Sequence, residues 1–219
     1  MRADFDRAAT KAMEVLIQNS ISETPIDSLS ILLSYPGVRV MSFTRFAMQA
    51  GMKRHDMMPI FGENQDAATF HLGMEMEGVE YVVVYNMRLP HEIIMRGVAR
   101  ELGHIVLGHD GMTRPTQIRM DEAKCFAHHL LSPRPILQML RESIPLTMNV
   151  LTATTGCSDE CVEEMREIPG VNVPADLNKK VRDLFSRGIS EYIHFYQASP
   201  KHDRSPVIDL GNFMDGYIE

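Results

Sequence analysis

Apolar residues recur every three or four positions along the first twenty residues, from Phe5 to Ile17, and this spacing predicts an amphipathic helix. A second helix is predicted to begin with Thr24 as its N-cap and Pro25 in its first turn, where the missing N–H costs nothing. The "SYPG" stretch should end that helix near Tyr35. The chain therefore opens with two helices.

Alternation of apolar and polar residues then indicates a small sheet. "GVRVMSF" alternates like a strand, and residues 44–51 read as a short capped helix. Two β-rich runs follow, "AATFHL" and "VEYVVVYN", joined by "GMEMEG". Glycine at both ends of this link, between β-branched and aromatic residues, predicts a hairpin.

The rest of the chain reads as helical. Pro90 should open a helix that Gly108 ends. Further helices are predicted at about 117–131, 134–142, 146–155, 158–167 and 175–197. The pattern predicts an α+β, mostly helical protein, in which a small antiparallel sheet packs on the helix after Pro90 and the C-terminal half forms a helical bundle. We expect a single domain over residues 1–197 and a flexible tail over 198–219, where periodicity is lost.

Composition restricts the classes of partner. The 219 residues are 44% hydrophobic and carry 22 basic and 29 acidic side chains, a formal charge of −7. The net negative charge repels phosphate backbones, so we expect no direct nucleic-acid binding. The acids in "MRADFDRAATKAMEVL" do not suit a signal peptide, and no run is apolar enough for a bilayer span. We expect a cytoplasmic protein that does not bind membranes.

The stretch "GVARELGHIVLGHDG" carries the candidate chemistry. On a helix, positions 100 and 104 lie one turn, about 6 Å, apart, which is the spacing two histidines need to hold one zinc ion. Glu101 would lie beside that pair, where a carboxylate can take a proton from a metal-bound water. Glu122, in "DEAKCFAHHLLSP", could provide a third ligand from a later helix.

Together the two segments resemble the ImmA/IrrE family of metallopeptidases, and the likeness runs from about residue 30 to residue 170. The residues that match the family's two motifs are Glu101, Leu102, Gly103, His104, Leu107, Gly108 and His109, then Glu122, Ala123, Phe126, Ala127, Leu130, Leu131 and Pro133. The resemblance implies a zincin-like fold, with His104 and Glu122 as zinc ligands and Glu101 as general base.

The resemblance also implies a partner, because characterised members of the family cleave or regulate helix-turn-helix repressors of mobile elements and stress responses. An acidic chain is electrostatically suited to a basic DNA-binding partner. The strand "VEYVVVYN" beside the site helix is where an extended partner segment could add as a further strand, a mode of binding that needs no catalysis.

Arg100 stands where the family has its first metal ligand, a histidine. A guanidinium has no lone pair to donate and repels zinc at ligand distance. One hypothesis is that the metal site is degenerate, that Arg100 meets Glu122 in place of the ion, and that the protein binds its partner without cleaving it. The alternative is an active zinc endopeptidase in which Cys125, one turn after Glu122, replaces the lost ligand. His109 is interpreted as a residue of the helix end, outside the ligand set.

The three cysteines, Cys125, Cys157 and Cys161, do not suggest a disulfide framework. "LTMNVLTATTGCSDECVEEMREI" reads as two short helices about Gly156, a helix-turn-helix-like arrangement whose second helix is acidic. That charge opposes DNA binding, so we interpret the pair as a packing unit or protein docking surface.

Overall fold

The computed structural model describes residues 2–53, 65–76, 78–109, 116–198 and 203–214. Over these residues the chain is mostly helical α+β, with nine α-helices and one three-stranded sheet. In chain order the elements are α1 (Phe5–Gln18), α2 (Ser28–Leu33), β1 (Val38–Ser42), α3 (Phe43–Gln49), β2 (Ala67–Met76), β3 (Val79–Tyr85), α4 (His91–Val106), α5 (Gln117–Leu131), α6 (Arg134–Arg141), α7 (Met148–Thr155), α8 (Asp159–Met165), α9 (Ala175–Ala198) and a 3-10 turn (Gly211–Phe213). None of the described helices is long and apolar enough to span a membrane.

Helix boundaries largely follow the sequence, with one clear exception at α2. This helix begins at Ser28, four residues after the predicted cap Thr24. Its N-cap is Asp27, whose carboxylate accepts a hydrogen bond from the Ser30 N–H at 3.0 Å. Aspartate is a stronger N-cap than threonine, so the cap lies at Asp27.

The sheet is mixed, so the prediction of an antiparallel sheet was wrong in part. β2 and β3 form the predicted antiparallel hairpin, although residue 77 of its link lies outside the described residues. β1, however, runs parallel to β3 on the other side, and the strand order is β1-β3-β2. Alternation along β1 shows that one face is buried, but it does not encode the direction of the neighbouring strand.

This order makes β3, the "VEYVVVYN" strand, the centre of the sheet. Both of its edges are already paired, so it cannot accept an added strand from a partner as we had expected. β2 packs against α4 and has one edge without a strand partner among the described residues. If a partner strand adds next to the site helix, β2 is the strand that receives it.

The main core joins the first helix, the site helix and the helices after it. α4 and α5 approach closely because position 103 has no side chain: a Cβ on Gly103 would lie 2.9 Å from Cδ1 of Phe126. α1 packs on α5 from the other side. A smaller cluster between the sheet and α3 buries the face of the sheet that includes Val82 and Val84.

Residues 203–214 belong to the segment expected to be a flexible tail, but they are packed against the body. Phe213 is completely buried, and its ring stacks on His129 with centroids 4.6 Å apart. The Ile208 N–H donates to the Leu146 carbonyl at 2.8 Å, and Leu210 is also buried. An extended segment held by a few separate apolar anchors has no helical or strand period, so the sequence pattern missed it. Residues 199–202 and 215–219 of the predicted tail lie outside the described residues.

Candidate functional site

Arg100, on α4, lies at the centre of a partly buried ion-pair group. Its Nη1 and Nη2 donate to the two carboxylate oxygens of Asp66 at 3.2 and 2.7 Å, and Nη2 also donates to Oε1 of Glu101 at 3.1 Å. The other Glu101 oxygen accepts from the Thr69 hydroxyl at 2.8 Å. Asp66, directly before β2, and Thr69, in β2, therefore hold Arg100 and Glu101 of α4 in place.

Burial sets the electrostatics of this group. Burial raises the pKa of Glu101, and the Arg100 charge offsets part of that rise. Burial also tends to lower the pKa of Arg100, but the charges of Glu101 and Asp66 outweigh it, so its pKa lies above the ordinary value. The guanidinium is a fixed cation that makes two buried carboxylates tolerable.

Asp66 can reach Arg100 only because residue 97 is glycine. A Cβ at Gly97, one turn before Arg100 on α4, would lie 2.6 Å from Cγ of Asp66. Asp66 is fixed further by the Ala67 N–H, which donates to Oδ1 at 2.8 Å. The absence of a side chain at Gly97 thus lets the Asp66 carboxylate approach the backbone of α4.

A second buried group lies one turn further along α4. Gly108, with φ of +68°, ends the helix and turns the chain, so that the ring of His109 returns to His104. Their Nδ1 atoms are 2.9 Å apart, and Nε2 of His109 is 3.0 Å from Oε2 of Glu122 on α5. His109 therefore lies between the two residues that the family resemblance makes zinc ligands.

Hydrogen bonding assigns the tautomers of these two rings. Burial lowers the pKa of His104 to about 4 and also lowers that of His109, so both rings are neutral at pH 7. The Glu122 carboxylate requires a proton on Nε2 of His109, which leaves Nδ1 of that ring as an acceptor. His104 must then donate from Nδ1, and its lone pair is on Nε2. The three side chains form a directed relay from His104 through His109 to Glu122.

Neither Glu122 nor Cys125 is arranged as the metal-ligand hypotheses require. Oε1 of Glu122 accepts from the Asp4 N–H at 2.8 Å, so both of its carboxylate oxygens are engaged. The Cys125 thiol faces the Phe5 carbonyl at 3.7 Å, and burial raises its pKa to about 12. In the described part of the chain, no three His, Cys, Asp or Glu side chains are grouped so that they could hold a metal ion. With a cation at position 100, the side chains present do not fit a catalytic zinc.

Three sequence interpretations change with this geometry. Arg100 was expected to meet Glu122, but its partners are Asp66 and Glu101. Cys125, the candidate replacement ligand, is turned toward α1. His109 was interpreted as a residue of the helix end outside the ligand set, and it is the residue that joins His104 to Glu122.

Sequence reasoning also missed two members of the site, Asp66 and Thr69. Both come from the edge of the β2 run, 34 and 32 residues away from their partners on α4. The one available signal was Asp66 itself, an acidic residue directly before the β-rich run "AATFHL". Glu101, His104 and Glu122 are all buried.

No protein-family model and no curated protein matches this chain. The likeness to the ImmA/IrrE family therefore stays a prediction from the two sequence motifs.

Proposed function

We propose that this protein has an ImmA/IrrE-like fold and binds a regulatory protein of the repressor type without metal-dependent cleavage. The observation that carries the proposal is the ion pair between Arg100 and Asp66. It fixes a permanent positive charge at the position where a peptidase of this family has a neutral imidazole.

The proposed general base is also engaged. Both oxygens of Glu101 accept hydrogen bonds, one from Arg100 and one from Thr69. A carboxylate that activates water needs a free oxygen facing that water. The geometry of Glu101 supports a structural role for this residue.

Binding of a partner needs neither a metal ion nor a general base. The outer edge of β2 lies next to α4, and an extended segment of a partner can add there through main-chain hydrogen bonds. The charge of −7 favours association with a basic DNA-binding protein. A helix-turn-helix repressor with an extended basic segment has the required chemistry.

The test is to incubate the protein with purified helix-turn-helix repressors, with zinc or with a chelator, and to follow complex formation by gel filtration and partner length by mass spectrometry. We expect a complex that survives the chelator and a partner that stays intact. Cytochrome c serves as a basic protein that should not bind. Shortening of a repressor in the zinc sample, or loss of the complex with the chelator, would contradict the proposal.

A matched pair of variants tests the position of the partner. Leu72→Lys adds a positive charge on β2, where the side chain is 38% exposed, and should weaken the complex by repelling the basic segment. Val207→Lys adds the same charge at a 66% exposed position away from the sheet, and should leave the complex unchanged. Equal effects of the two substitutions would show that the partner does not dock on the edge of β2.

A further inference from the structure

Two cysteines lie together at the start of α8, away from the candidate site. Cys157 directly precedes the N-cap Ser158, and Cys161 lies in the first turn. The Ser158 hydroxyl accepts from the Cys161 N–H at 3.3 Å, and such a cap folds the preceding residue back over the first turn. Cys157 and Cys161 are 4% and 1% exposed, so their surroundings are those of the protein interior.

Both sulfurs contact one face of α5. The Cys161 sulfur is 3.9 Å from Nδ1 of His128, and the Cys157 sulfur is 3.9 Å from the hydroxyl of Ser132. His128 lies in the last turn of α5 and Ser132 is its C-cap, and the two thiols are hydrogen-bonded to each other, so the sulfurs are neighbours. A hydrogen bond from the Cys161 thiol lowers the pKa of Cys157, which makes Cys157 the first of the pair to ionise.

His128 gives Cys161 a route for its proton. Nε2 of His128 faces the Glu164 carboxylate at 3.6 Å and therefore carries the ring proton, so that Nδ1 is unprotonated and, 3.9 Å from the Cys161 sulfur, can take up the thiol proton when Cys161 reacts. His128 and Glu164 also line a surface pocket of about 230 Å³ between α4, α5 and α8; neither cysteine lines this pocket, and the His128 ring lies between it and the Cys161 sulfur.

We propose that Cys157 and Cys161 are a peroxide-reactive dithiol that closes to a reversible disulfide. The Cys157 thiolate attacks one oxygen of a hydroperoxide, the O–O bond breaks, and Cys157 sulfenic acid forms while the other oxygen leaves as water or alcohol after protonation. The Cys161 sulfur, whose proton passes to Nδ1 of His128, then attacks the sulfenic sulfur. The S–O bond breaks, and hydroxide takes up that proton as water. Both sulfurs are oxidised, and one peroxide is reduced.

Competing interpretations of the pair are weaker. In the described part of the chain these thiols do not join a third side chain in a group that could hold a metal ion. Cys125 is an example of an inert core cysteine, because its thiol faces the Phe5 carbonyl and burial raises its pKa to about 12. Cys125 is therefore an internal control, and the proposal does not depend on the proposed function.

The experiment treats the folded full-length protein with hydrogen peroxide, blocks free thiols with iodoacetamide and analyses tryptic peptides by mass spectrometry. Residues 142–166 form one tryptic peptide with both cysteines and without Cys125. We expect this peptide to lose the mass of two hydrogen atoms and to regain it with dithiothreitol. Cys157 should be oxidised at least about tenfold faster than Cys125, because only a thiolate reacts.

Two variants test which cysteine attacks the peroxide and which closes the disulfide. Cys161→Ser should stop at Cys157 sulfenic acid, trapped with dimedone, while Cys125→Ser should form the disulfide as the parent does. If either variant fails to fold, the parent alone decides, because Cys125 is compared within the same molecule. A 142–166 peptide that remains doubly alkylated, or oxidation of Cys157 no faster than that of Cys125, would overturn the proposal.

Discussion

The guanidinium of Arg100 donates to both carboxylate oxygens of Asp66, at 3.2 and 2.7 Å, across 34 residues of sequence. This contact joins the segment before β2 to the middle of α4. It explains how a cation is tolerated at the position where the family resemblance implies a metal ligand. The positive charge that a metal would supply comes from the chain itself.

Removing the Arg100 charge should destabilise the protein. Arg100→Gln leaves Asp66 and Glu101 buried without their cation, and we expect the free energy of unfolding in urea at pH 7 to fall by about 3 kcal/mol. Arg182→Gln is the matched control, because Arg182 also forms a two-point pair, with Glu142, but these side chains are 43% and 56% exposed. That substitution should cost less than about 1 kcal/mol. Equal losses in the two variants would mean that the Arg100 pair is not effectively buried.

A methyl group at position 97 should displace Asp66. Gly97→Ala gains about 1 kcal/mol of helix propensity, but its Cβ would lie 2.6 Å from Cγ of Asp66. Because Asp66 is held by Arg100 and by the Ala67 N–H, we expect a net loss of about 1 to 2 kcal/mol in thermal or urea unfolding. Gly188→Ala on α9 meets only the Ser22 carbonyl oxygen at 3.5 Å and should stabilise the protein. A stabilising Gly97→Ala would show that Asp66 does not occupy this position.

Stability should depend on pH through His104. Burial lowers its pKa to about 4, below the value of about 6.5 in an unfolded chain, so between these values the unfolded state binds more protons. Through His104 the free energy of unfolding should therefore fall as pH decreases from about 6.5 to about 4, by at most about 3 kcal/mol, and His109, His128 and His129, whose pKa values burial also lowers, add to this fall. Urea unfolding at several pH values measures this slope. His104→Gln should reduce the slope, and His194→Gln, on the exposed face of α9, should not. An unchanged slope in His104→Gln would refute the assignment.

The sequence predicted the parts of this fold that depend on local pattern. The spacing of apolar residues located α4 and α5, and the two motifs directed attention to Glu101, His104 and Glu122, which are all buried. The sequence did not identify Asp66 as the partner of Arg100, because a contact between a helix and a residue before a strand far away in sequence does not change the spacing of apolar residues. The return of His109 to His104 depends on the left-handed conformation of Gly108, which the sequence allowed but did not require.

The relay from His104 to Glu122 should reverse when its acceptor is neutralised. In Glu122→Gln the amide oxygen can still accept from the Asp4 N–H, while the amide N–H₂ faces Nε2 of His109. His109 must then carry its proton on Nδ1, and His104 must carry its own on Nε2. Long-range ¹H–¹⁵N spectra of the imidazole rings report these tautomers directly. Glu163→Gln, at an exposed position on α8, should leave them as in the parent, and a His104 that keeps its Nδ1 proton in Glu122→Gln would disprove the relay.

The zinc content of the parent protein and of Arg100→His, measured side by side on protein purified without chelator or affinity metal, tests the central claim most directly. The claim is that the charge of Arg100 prevents metal binding, and that His104 and Glu122, which His109 joins in the parent, turn to zinc once an imidazole replaces that charge. It predicts no stoichiometric zinc in the parent and about one zinc per chain in the variant, where the introduced imidazole joins His104 and Glu122. Bound zinc should also raise the thermal stability of the variant, because the metal binds only the folded state. One zinc per chain in the parent, or none in the variant, would contradict the account.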